Sequence, residues 1–518
     1  MTFHPARRRA VAALAAAPLL AAGCAGPSPE PVPEPAARAA PLPAAEAVAL
    51  LDRLAWGASP SSLRRLTELG EARWLAEQLR PPATTPLPDE VAARIAAMTL
   101  SQRPITELVP ELDRERRAAD ALADDAAKNA ARQAYQQSLT RLAREAASRS
   151  LLLAVHSPWG LRERMTWFWT NHFSVFQGKA ELRALVGDYQ DRAIRPHALG
   201  RFRDLLGAAT KHPAMLRYLD NAQNAAGRLN ENHARELLEL HTLGVDGGYG
   251  QADVQELARV MTGVGISYAP GAPRMRTELQ RFHVRDGVFE FNPARHDWGD
   301  KRVLGRTIPG VGLDELETVL DDLARHPSTA RFVCGKLARF LVGGPPDPAL
   351  VARLARTFAR TDGDVAATVA DLVATPAFRA SLGTRFKDPQ TWVVSSVRLA
   401  FDARPVVDAA PMLGWLARLG QSPFGRQTPD GWSLDETAWS GSGQLTARFE
   451  VARAIVGAGP ALYRPAEAAP TAARLDDPFF VRAVTGRLAP ATREVLDGAA
   501  SPAERLAFLL SSPEFMRG

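Results

Sequence analysis

The chain has 518 residues and a formal net charge of +6, and 23% of its residues are charged. That length suffices for one very large domain or for two or three ordinary ones. Because no stretch combines clustered Lys and Arg with aromatic residues, the composition predicts no nucleic-acid partner.

The first 23 residues have the order of a bacterial lipoprotein signal peptide. Arg7, Arg8 and Arg9 precede an uncharged apolar run over 10–22, and small residues come directly before Cys24. We therefore predict cleavage before Cys24, lipidation of its thiol, and an exported protein anchored in the cell-envelope membrane, facing the periplasm or in the outer membrane. The alternative is an ordinary signal peptide followed by an incidental cysteine.

A tether rich in Pro and Ala follows at 24–43 and has almost no large apolar side chains. Such a segment cannot bury enough surface to offset its ordering entropy, and its prolines keep it extended. We predict that it separates the lipid anchor from a soluble body. The other cysteine, Cys334, then has no disulfide partner, and its amphipathic surroundings predict a small buried apolar residue.

Helical periodicity dominates from residue 44 onward, so we predict a mainly α fold, a large multi-helix domain with a small β-hairpin insertion. Apolar residues three and four apart predict helices over 45–54, 61–79, 111–149, 159–173, 181–194, 201–206, 213–219, 231–243, 251–262, 313–324, 327–341, 348–358 and 364–373. Alternation around an Asp-Gly turn predicts the hairpin over 282–291. A linker at 405–411 would divide the main body, 44–403, from a C-terminal helical segment, 404–518, packed on it.

Eight of the ten histidines lie between His156 and His296. A metal site or an acid–base site concentrates histidines in this way, and so do chance and core packing. Signatures of the common metalloproteases and serine hydrolases are missing from the sequence, which weakens both interpretations. The cofactor is therefore unknown, with a divalent metal as one option.

The densest polar motif spans 230–241. At about 100° per residue, a helix presents four polar side chains on one side: Asn232, Arg235, Glu236 and Glu239. Two carboxylates on neighbouring turns beside an arginine can be metal ligands, a general acid and base, or a solvated ion-pair surface. His233 and His241 share the other side with leucines, so we expect them to be packed aromatic side chains.

Two further segments are candidate sites. An aromatic helix carries Trp169, Asn171 and His172 at its end, which suits a sugar platform or a ligand pocket; the alternative is a core helix whose last histidine caps its own carbonyls. A polar loop after the hairpin carries His296 and Asp297, which can bind a metal or position a base. The alternative there is a simple turn, since Asp, Asn, Pro and Gly are turn formers.

Together these segments resemble the bacterial family known as domain of unknown function 1800. The matching segments cover nearly the whole mature chain: Leu51–Pro60, Phe168–Phe173, His212–Leu216, Asn230–Gly244, His296–Gly305, His326–Ala330 and Gly431–Phe449. The resemblance implies an exported, largely helical protein, often encoded near a second secreted family that resembles alkaline phosphatases and sulfatases and is thus a candidate partner. It implies no particular reaction. The family commonly has Phe or Tyr at the position of His233 and often Phe at that of His241.

Our leading hypothesis is a cell-envelope hydrolase or carbohydrate-active enzyme with a His/carboxylate site. The predicted catalytic residues are Glu236, Glu239, His172, His296 and Asp297. The predicted ligand-binding residues are Trp169, Asn171, Asn230, Glu231, Arg235 and Lys301. Because one helical turn is too short for most glycosidase carboxylate pairs, the second carboxylate would come from Glu231 or Asp297. The alternative is a non-catalytic envelope scaffold, or an accessory subunit of a secreted partner, in which the motif is a buried polar network.

Overall fold

The computed structural model describes residues 42–402, 404–463, 473 and 475–518. The predicted signal peptide, Cys24 and all of the predicted tether except its last two residues lie outside this part of the chain. Leu42–Gly518 forms one compact unit. None of the helices in the described part combines the length and the apolar character needed to cross a bilayer.

The described chain is mainly helical with a small amount of strand, which confirms the predicted fold class. Before the second sheet the α-helices are Ala44–Leu54, Pro60–Leu69, Glu71–Leu79, Asp89–Ala96, Thr99–Gln102, Ile105–Ala121, Asp125–His156, Gly160–His172, Val186–Asp188, Phe202–Lys211, Pro213–Tyr218, Asn232–Glu236, Gln251–Val260 and Thr277–Gln280. After it they are Leu313–Arg325, Pro327–Leu341, Pro348–Arg360, Val365–Val373, Pro376–Ser381, Pro389–Ala400, Ala410–Arg418, Ser442–Gly457, Gly459–Leu462, Pro478–Thr485, Pro490–Asp497 and Pro502–Ser511. Short 3₁₀ helices cover Leu182–Ala184, Arg195–His197, Asn221–Gln223, Pro293–Arg295 and Glu436–Ala438, and π-helical turns cover Tyr189–Ile194 and Leu237–Thr242.

Two small antiparallel sheets interrupt the helices. In the first, the central strand Phe289–Phe291 pairs with Val264–Ile266 on one side and Val284–Asp286 on the other. The second sheet pairs Lys301–Val303 with Arg306–Ile308. The hairpin predicted over 282–291 is therefore confirmed, and the sequence did not indicate the third strand that joins it.

Local start signals explain which helix bounds could be predicted. The helix Pro327–Leu341 has the predicted bounds, because Pro327 opens it and the ring of His326 accepts the N–H of Ser328 at 3.1 Å. The single helix predicted over 111–149 is wrong. The chain breaks before Asp125, where the carboxylate of Asp124 accepts the N–H of Ala127 at 2.7 Å and starts a new helix.

One other helix prediction also needs correction. Gly70, with a φ of +75°, divides the helix predicted over 61–79 into two, because this left-handed conformation ends a helix. The stretch predicted as a linker, 405–411, packs against the end of the helix Asp125–His156. Val406 and Val407 are buried, and the carbonyl of Val406 lies 2.9 Å from Nε2 of His156.

The helix Gly160–His172 lies at the centre of the apolar core and is buried on nearly every side. Its Arg164 is enclosed between the rings of Trp56 and Phe340, each 4.9 Å from the guanidinium carbon. Burial lowers the pKa of Arg164 to about 9. Because this helix is fixed by packing all round, its C-terminal end, with Asn171 and His172, is held rigidly against the candidate site.

Cys334 is buried within the helix Pro327–Leu341, which confirms its prediction as a small packed residue. Burial raises the pKa of its thiol to about 12, and the carboxylate of Asp371 adds to the shift. A thiol in this state is a poor nucleophile at neutral pH.

Candidate functional site

The polar motif does not form one regular α-helix. Asn232–Glu236 is α-helical, and Leu237–Thr242 continues as a π-helical turn in which the N–H of Leu243 reaches the carbonyl of Leu238 at 2.8 Å. Because a π turn is wider than an α turn, the 100° relation fails beyond its start. Leu240, expected on the apolar side, is only half-buried. Glu236 and Glu239 are both half-buried as well, at the surface of the molecule.

The loop that leads into the motif is fixed by two buried asparagines. Asn221 donates to the carbonyl of Val264 at 2.8 Å, and Asn224 donates to that of Ala258 at 2.8 Å. The side chain of Asn224 also accepts the N–H of Asn230 at 3.0 Å. Asn230 in turn accepts the N–H of Asn232 at 3.0 Å. The predicted ligand-binding residue Asn230 therefore forms a side-chain turn that leads into the motif helix, whose N-cap residue is Glu231.

Glu231 and Arg235 form a surface network with Gln251. Arg235 donates to Glu231 at 3.0 Å and to Gln251 at 2.8 Å, and Gln251 donates to Glu231 at 2.7 Å. The hydrogen bond from Gln251 is the largest cause that lowers the pKa of Glu231. These two predicted ligand-binding residues are therefore hydrogen-bonded to each other and to Gln251.

A second group of side chains surrounds the two glutamates of the motif. The Glu236 cluster consists of Tyr218, Glu236, Glu239, Lys336 and Asp430. The hydroxyl of Tyr218 donates to the carbonyl of Gln427 at 2.7 Å, which ties the loop that carries Asp430 to the helix Pro213–Tyr218. Burial raises the pKa of Tyr218 to about 12, and the carboxylates of Glu236 and Asp430 add to the shift. The three elements therefore converge on one place.

Glu236 is the carboxyl group that most readily keeps its proton in this cluster. Burial raises its pKa, the carboxylates of Glu239 and Asp430 raise it further, and Arg235 acts in the opposite direction. Among the described residues, the carboxyl group of Glu236 has no ion-pair partner and no hydrogen-bond partner. Among the described residues, the only hydrogen bond to the carboxyl group of Glu239 comes from the hydroxyl of Tyr249, at 3.4 Å.

Asp430 is in the opposite state. Burial alone would raise its pKa, but hydrogen bonds from Arg426 and Thr428 outweigh that effect and lower it. Arg426 grips both carboxylate oxygens, with Nη2 2.8 Å from Oδ2 and Nε 3.1 Å from Oδ1. The Asp430 side chain is exposed enough to meet solvent. The cluster therefore holds one carboxyl group biased toward its acid form and one biased toward its anion.

Lys336 adds a third titratable group. Burial lowers the pKa of its ammonium to about 8, and the nearby carboxylate of Asp430 offsets only part of this shift. The ammonium lies 5.4 Å from the centre of the Phe332 ring and makes no ion pair within the described residues. Lys336 can therefore exchange a proton near neutral pH.

Asn171 holds the Asp430 loop in place. Its side chain accepts the N–H of Trp432 at 2.6 Å and donates to the carbonyl of the same residue at 2.9 Å. Gly431 has a φ of +77°, and a Cβ there would lie 2.2 Å from the carbonyl oxygen of Asn171. The close approach admits only glycine. Asn171, predicted to bind a ligand, is thus a positioning residue for this loop.

Trp169 cannot serve as a sugar platform, because its side chain is fully buried. Its ring nitrogen donates to the carbonyl of Ala198 at 2.9 Å, and its ring packs edge-on against His172. The half-buried ring of Trp432, next to Asp430, is the aromatic surface that the structure offers instead.

Three histidines pack together beneath the cluster: His172, His233 and His241. His172 donates from Nε2 to the carbonyl of His241 at 3.1 Å. Both ring nitrogens of His233 and of His241 lack a hydrogen-bond partner among the described residues. Burial lowers the pKa of all three, to about 3 for His233. They are neutral packed rings, as the apolar side of the motif predicted for His233 and His241.

His296 and Lys301 lie in a different place, around a glutamate that the sequence analysis did not consider. We call His296, Lys301 and Glu315 the Glu315 network. Nε2 of His296 lies 2.9 Å from Oε1 of Glu315, and Nζ of Lys301 lies 2.6 Å from Oε2. The backbone N–H of Gly312 donates to the same glutamate at 2.9 Å. All three side chains are 0% exposed, so no ligand can reach them without unfolding this region.

Asp297 is held by an arginine at the edge of that network. Arg259 donates to its two oxygens at 2.9 and 3.1 Å, and these bonds lower the pKa of Asp297 to about 2. The two candidates for the second carboxylate, Glu231 and Asp297, are therefore both engaged by an arginine. Asp430 is also paired with an arginine, Arg426, but it is the carboxylate outside the motif whose charge raises the pKa of Glu236. Its only sequence signal was its place just before Gly431–Phe449, the segment that carries part of the family resemblance.

The described residues do not supply a metal site. Within this part of the chain, no three His, Cys, Asp or Glu side chains are grouped so that they would hold a metal ion. Of the histidines that suggested a metal, three form the packed trio, His296 belongs to the Glu315 network, and His212 starts a helix, where its ring accepts the N–H of Ala214 at 3.1 Å.

Comparison with known proteins places the chain in a family. A family profile described as "Protein of unknown function (DUF1800)" matches residues 49–517. No curated protein and no solved structure matches the chain. The matched range includes every residue of the Glu236 cluster and of the Glu315 network.

Proposed function

The chain belongs to the DUF1800 family, a family of unknown function, and on that premise we propose that it is a cell-envelope hydrolase that cleaves a glycan at the Glu236 cluster. The observation that carries the proposal is the opposite bias of two neighbouring carboxyl groups. The pKa of Glu236 is raised and that of Asp430 is lowered. Pairs separated in this way mark the acid and the base of an active site.

Glycoside hydrolysis uses such a pair. A protonated carboxyl group gives its proton to the glycosidic oxygen as the C–O bond breaks, and an ionised carboxylate takes a proton from the attacking water or attacks the sugar itself. Glu236 is the proton donor in this scheme, and Asp430, which solvent reaches, is the base. Lys336, whose ammonium interacts with the carboxylate of Asp430, stabilises negative charge at the base.

A glycan fits the surroundings of the pair better than a charged small molecule does. The half-buried ring of Trp432 lies 5.8 Å from the guanidinium carbon of Arg426, the partner of Asp430, and the hydroxyl of Tyr249 contacts Glu239. Aromatic rings with a polar edge stack on sugar faces and hydrogen-bond their hydroxyl groups. Export, the lipid anchor at Cys24 and a secreted phosphatase- or sulfatase-like partner belong to the same proposal. The first two rest on the N-terminal sequence, and the partner rests on the family resemblance.

The test is a hydrolysis assay with the full-length protein on isolated cell-wall and surface polysaccharides, with release of reducing ends as the readout. We expect Glu236→Gln and Asp430→Asn each to lower the rate by about 100-fold or more while the melting temperature is kept. Glu278→Gln, an exposed glutamate outside the cluster, is the control and should retain the rate. Equal rates in Glu236→Gln and the control would refute the proposal.

A non-catalytic scaffold or accessory subunit is the second candidate. It is favoured by the hydrogen bonds that Asn230, Glu231 and Arg235 make to other residues of the protein. These bonds leave much of the motif without free polar groups for a ligand. In that case Glu236→Gln would change stability and no polysaccharide would be cleaved by the unmodified protein.

A further inference from the structure

A cavity of about 380 Å³ adjoins the segment that carries Tyr218, yet it contains no residue of the Glu236 cluster. Its volume lies within the range of about 300–1,000 Å³ that small-molecule sites occupy. Nine polar side chains line it: Asp113, Arg116, Arg117, Tyr135, Glu181, Arg217, Gln223, Ser267 and Tyr268. Most of them come from three α-helices, Ile105–Ala121, Asp125–His156 and Pro213–Tyr218, and the others from the turns and loops around residues 181, 223 and 267–268.

The two carboxylates in the cavity wall are already engaged. Asp113 accepts from Arg116 at 2.9 Å and pairs with Arg117 at 2.7 Å. Glu181 accepts from Arg217 at 3.0 Å and from the hydroxyl of Tyr268 at 2.6 Å. The wall therefore uses its own acceptors internally.

The donors of the wall are not used up. The hydroxyl of Tyr135 and the side-chain amide of Gln223 have no hydrogen-bond partner in the described chain. Burial raises the pKa of Tyr135, so its hydroxyl keeps its proton at neutral pH. Three guanidinium groups face two carboxylates, and Asp120, which also contacts Arg116 at 3.2 Å, is shared with Arg132. The cavity is therefore short of acceptors and of negative charge.

We propose that this cavity binds a small hydroxylated molecule that carries an oxyanion, the class that includes sugar acids and sugar phosphates. The oxyanion takes the remaining N–H groups of Arg116 and Arg117, which match the geometry of a carboxylate or phosphate. The hydroxyl of Tyr135 and the amide of Gln223 bond the ligand's hydroxyl groups. A bare inorganic anion would leave most of the cavity empty.

Calorimetric titration of the full-length protein tests this assignment with four probes: D-glucuronate, D-glucose 6-phosphate, D-glucose and inorganic phosphate. We expect one of the two charged sugars to bind at least about tenfold more tightly than glucose and phosphate, and the tighter one identifies the oxyanion. If neither charged sugar binds more tightly than inorganic phosphate, the cavity takes an adventitious ion only and the proposal is overturned.

Matched variants locate the binding. Arg117→Gln and Tyr135→Phe should each weaken binding of the tighter probe by about tenfold. Arg114→Gln removes the same charge from the same helix but lies outside the cavity, and we expect a change of less than about twofold. An equal loss in Arg114→Gln would show a general charge effect and overturn the site. Circular dichroism checks that Tyr135→Phe is folded, and Arg117 is exposed, so its replacement leaves the core intact.

Discussion

The Glu315 network and the Glu236 cluster each contain a glutamate and a lysine, but in opposite states of burial and pairing. In the network a glutamate, a lysine and a histidine are fully buried and in contact. In the cluster Glu236 and Lys336 are half-buried, and neither has an ion-pair partner among the described residues. An unpaired charge deep in a core costs several kcal/mol, so burial enforces pairing, while access to water permits charges to stay unpaired. Solvent access and pairing, rather than residue type, separate a packing network from a candidate site.

The largest expected effect lies in the network. Glu315→Ala leaves the Lys301 ammonium and the His296 ring buried without their common acceptor, and we expect a loss of about 4 kcal/mol in the free energy of unfolding. Urea denaturation measures it. Asp322→Asn, on the same helix, breaks a partly exposed pair with Arg306 and should cost less than about 1 kcal/mol. Similar losses in both variants would show that the buried Glu315 network contributes no more to stability than a partly exposed ion pair.

The packed histidines should make the stability of the protein depend on pH. An unfolded histidine has a pKa near 6.5, whereas burial lowers that of folded His233 to about 3. Below pH 6.5 the His233 ring therefore binds a proton in the unfolded chain but not in the folded chain. The free energy of unfolding consequently falls as the pH decreases. At about pH 5 this residue should cost about 2 kcal/mol relative to about pH 8.

His233→Phe should remove that part of the pH dependence, and thermal unfolding at several pH values measures it. His197→Asn, a half-buried histidine elsewhere, is the control and should change the slope less. An unchanged slope in His233→Phe would mean that the ring binds a proton equally well in the folded and the unfolded chain.

The contact between Asn171 and the Asp430 loop connects the buried central helix to the solvent-accessible Glu236 cluster. Asn171→Ala removes two hydrogen bonds to Trp432, and we expect a loss of about 1.5 kcal/mol together with faster proteolysis of residues 421–432. Gln177→Ala removes one bond to the same loop, to the carbonyl of Pro423 at 3.0 Å, and should have a smaller effect on both measurements. If proteolysis is unchanged in Asn171→Ala, another contact holds the loop.

The smallest expected change in stability is at the proposed acid. Glu236→Gln loses no described partner, so we expect a change of within about 0.5 kcal/mol at neutral pH. The sign should be stabilising. A raised pKa in the folded state means that Glu236 favours folding only at low pH, and this contribution is lost as the pH rises. A large destabilisation in urea would place Glu236 with Glu315 and favour the scaffold.

Local features of the fold could be predicted, and nonlocal ones could not. The helix Pro327–Leu341 and the hairpin at 282–291 carry their signals within their own residues, and both were confirmed. The π turn at Leu237–Thr242 is set by how the motif packs, so a regular helical wheel misplaced Leu240. Lys336 sits in an ordinary amphipathic pattern, and Asp430 lies far along the chain from Glu236. No local sequence pattern indicates that these residues lie close together, because tertiary contacts between separate elements form the site.

Gly431 offers a means of sorting relatives of this chain. The loop that presents Asp430 lies so close to the end of the central helix that position 431 has no room for a side chain. Relatives that have glycine there can place an acidic residue opposite the motif glutamates, and relatives with any larger residue must carry the loop elsewhere. A survey of that single position, together with position 430, would divide the family into members that can form the Glu236 cluster and members that cannot.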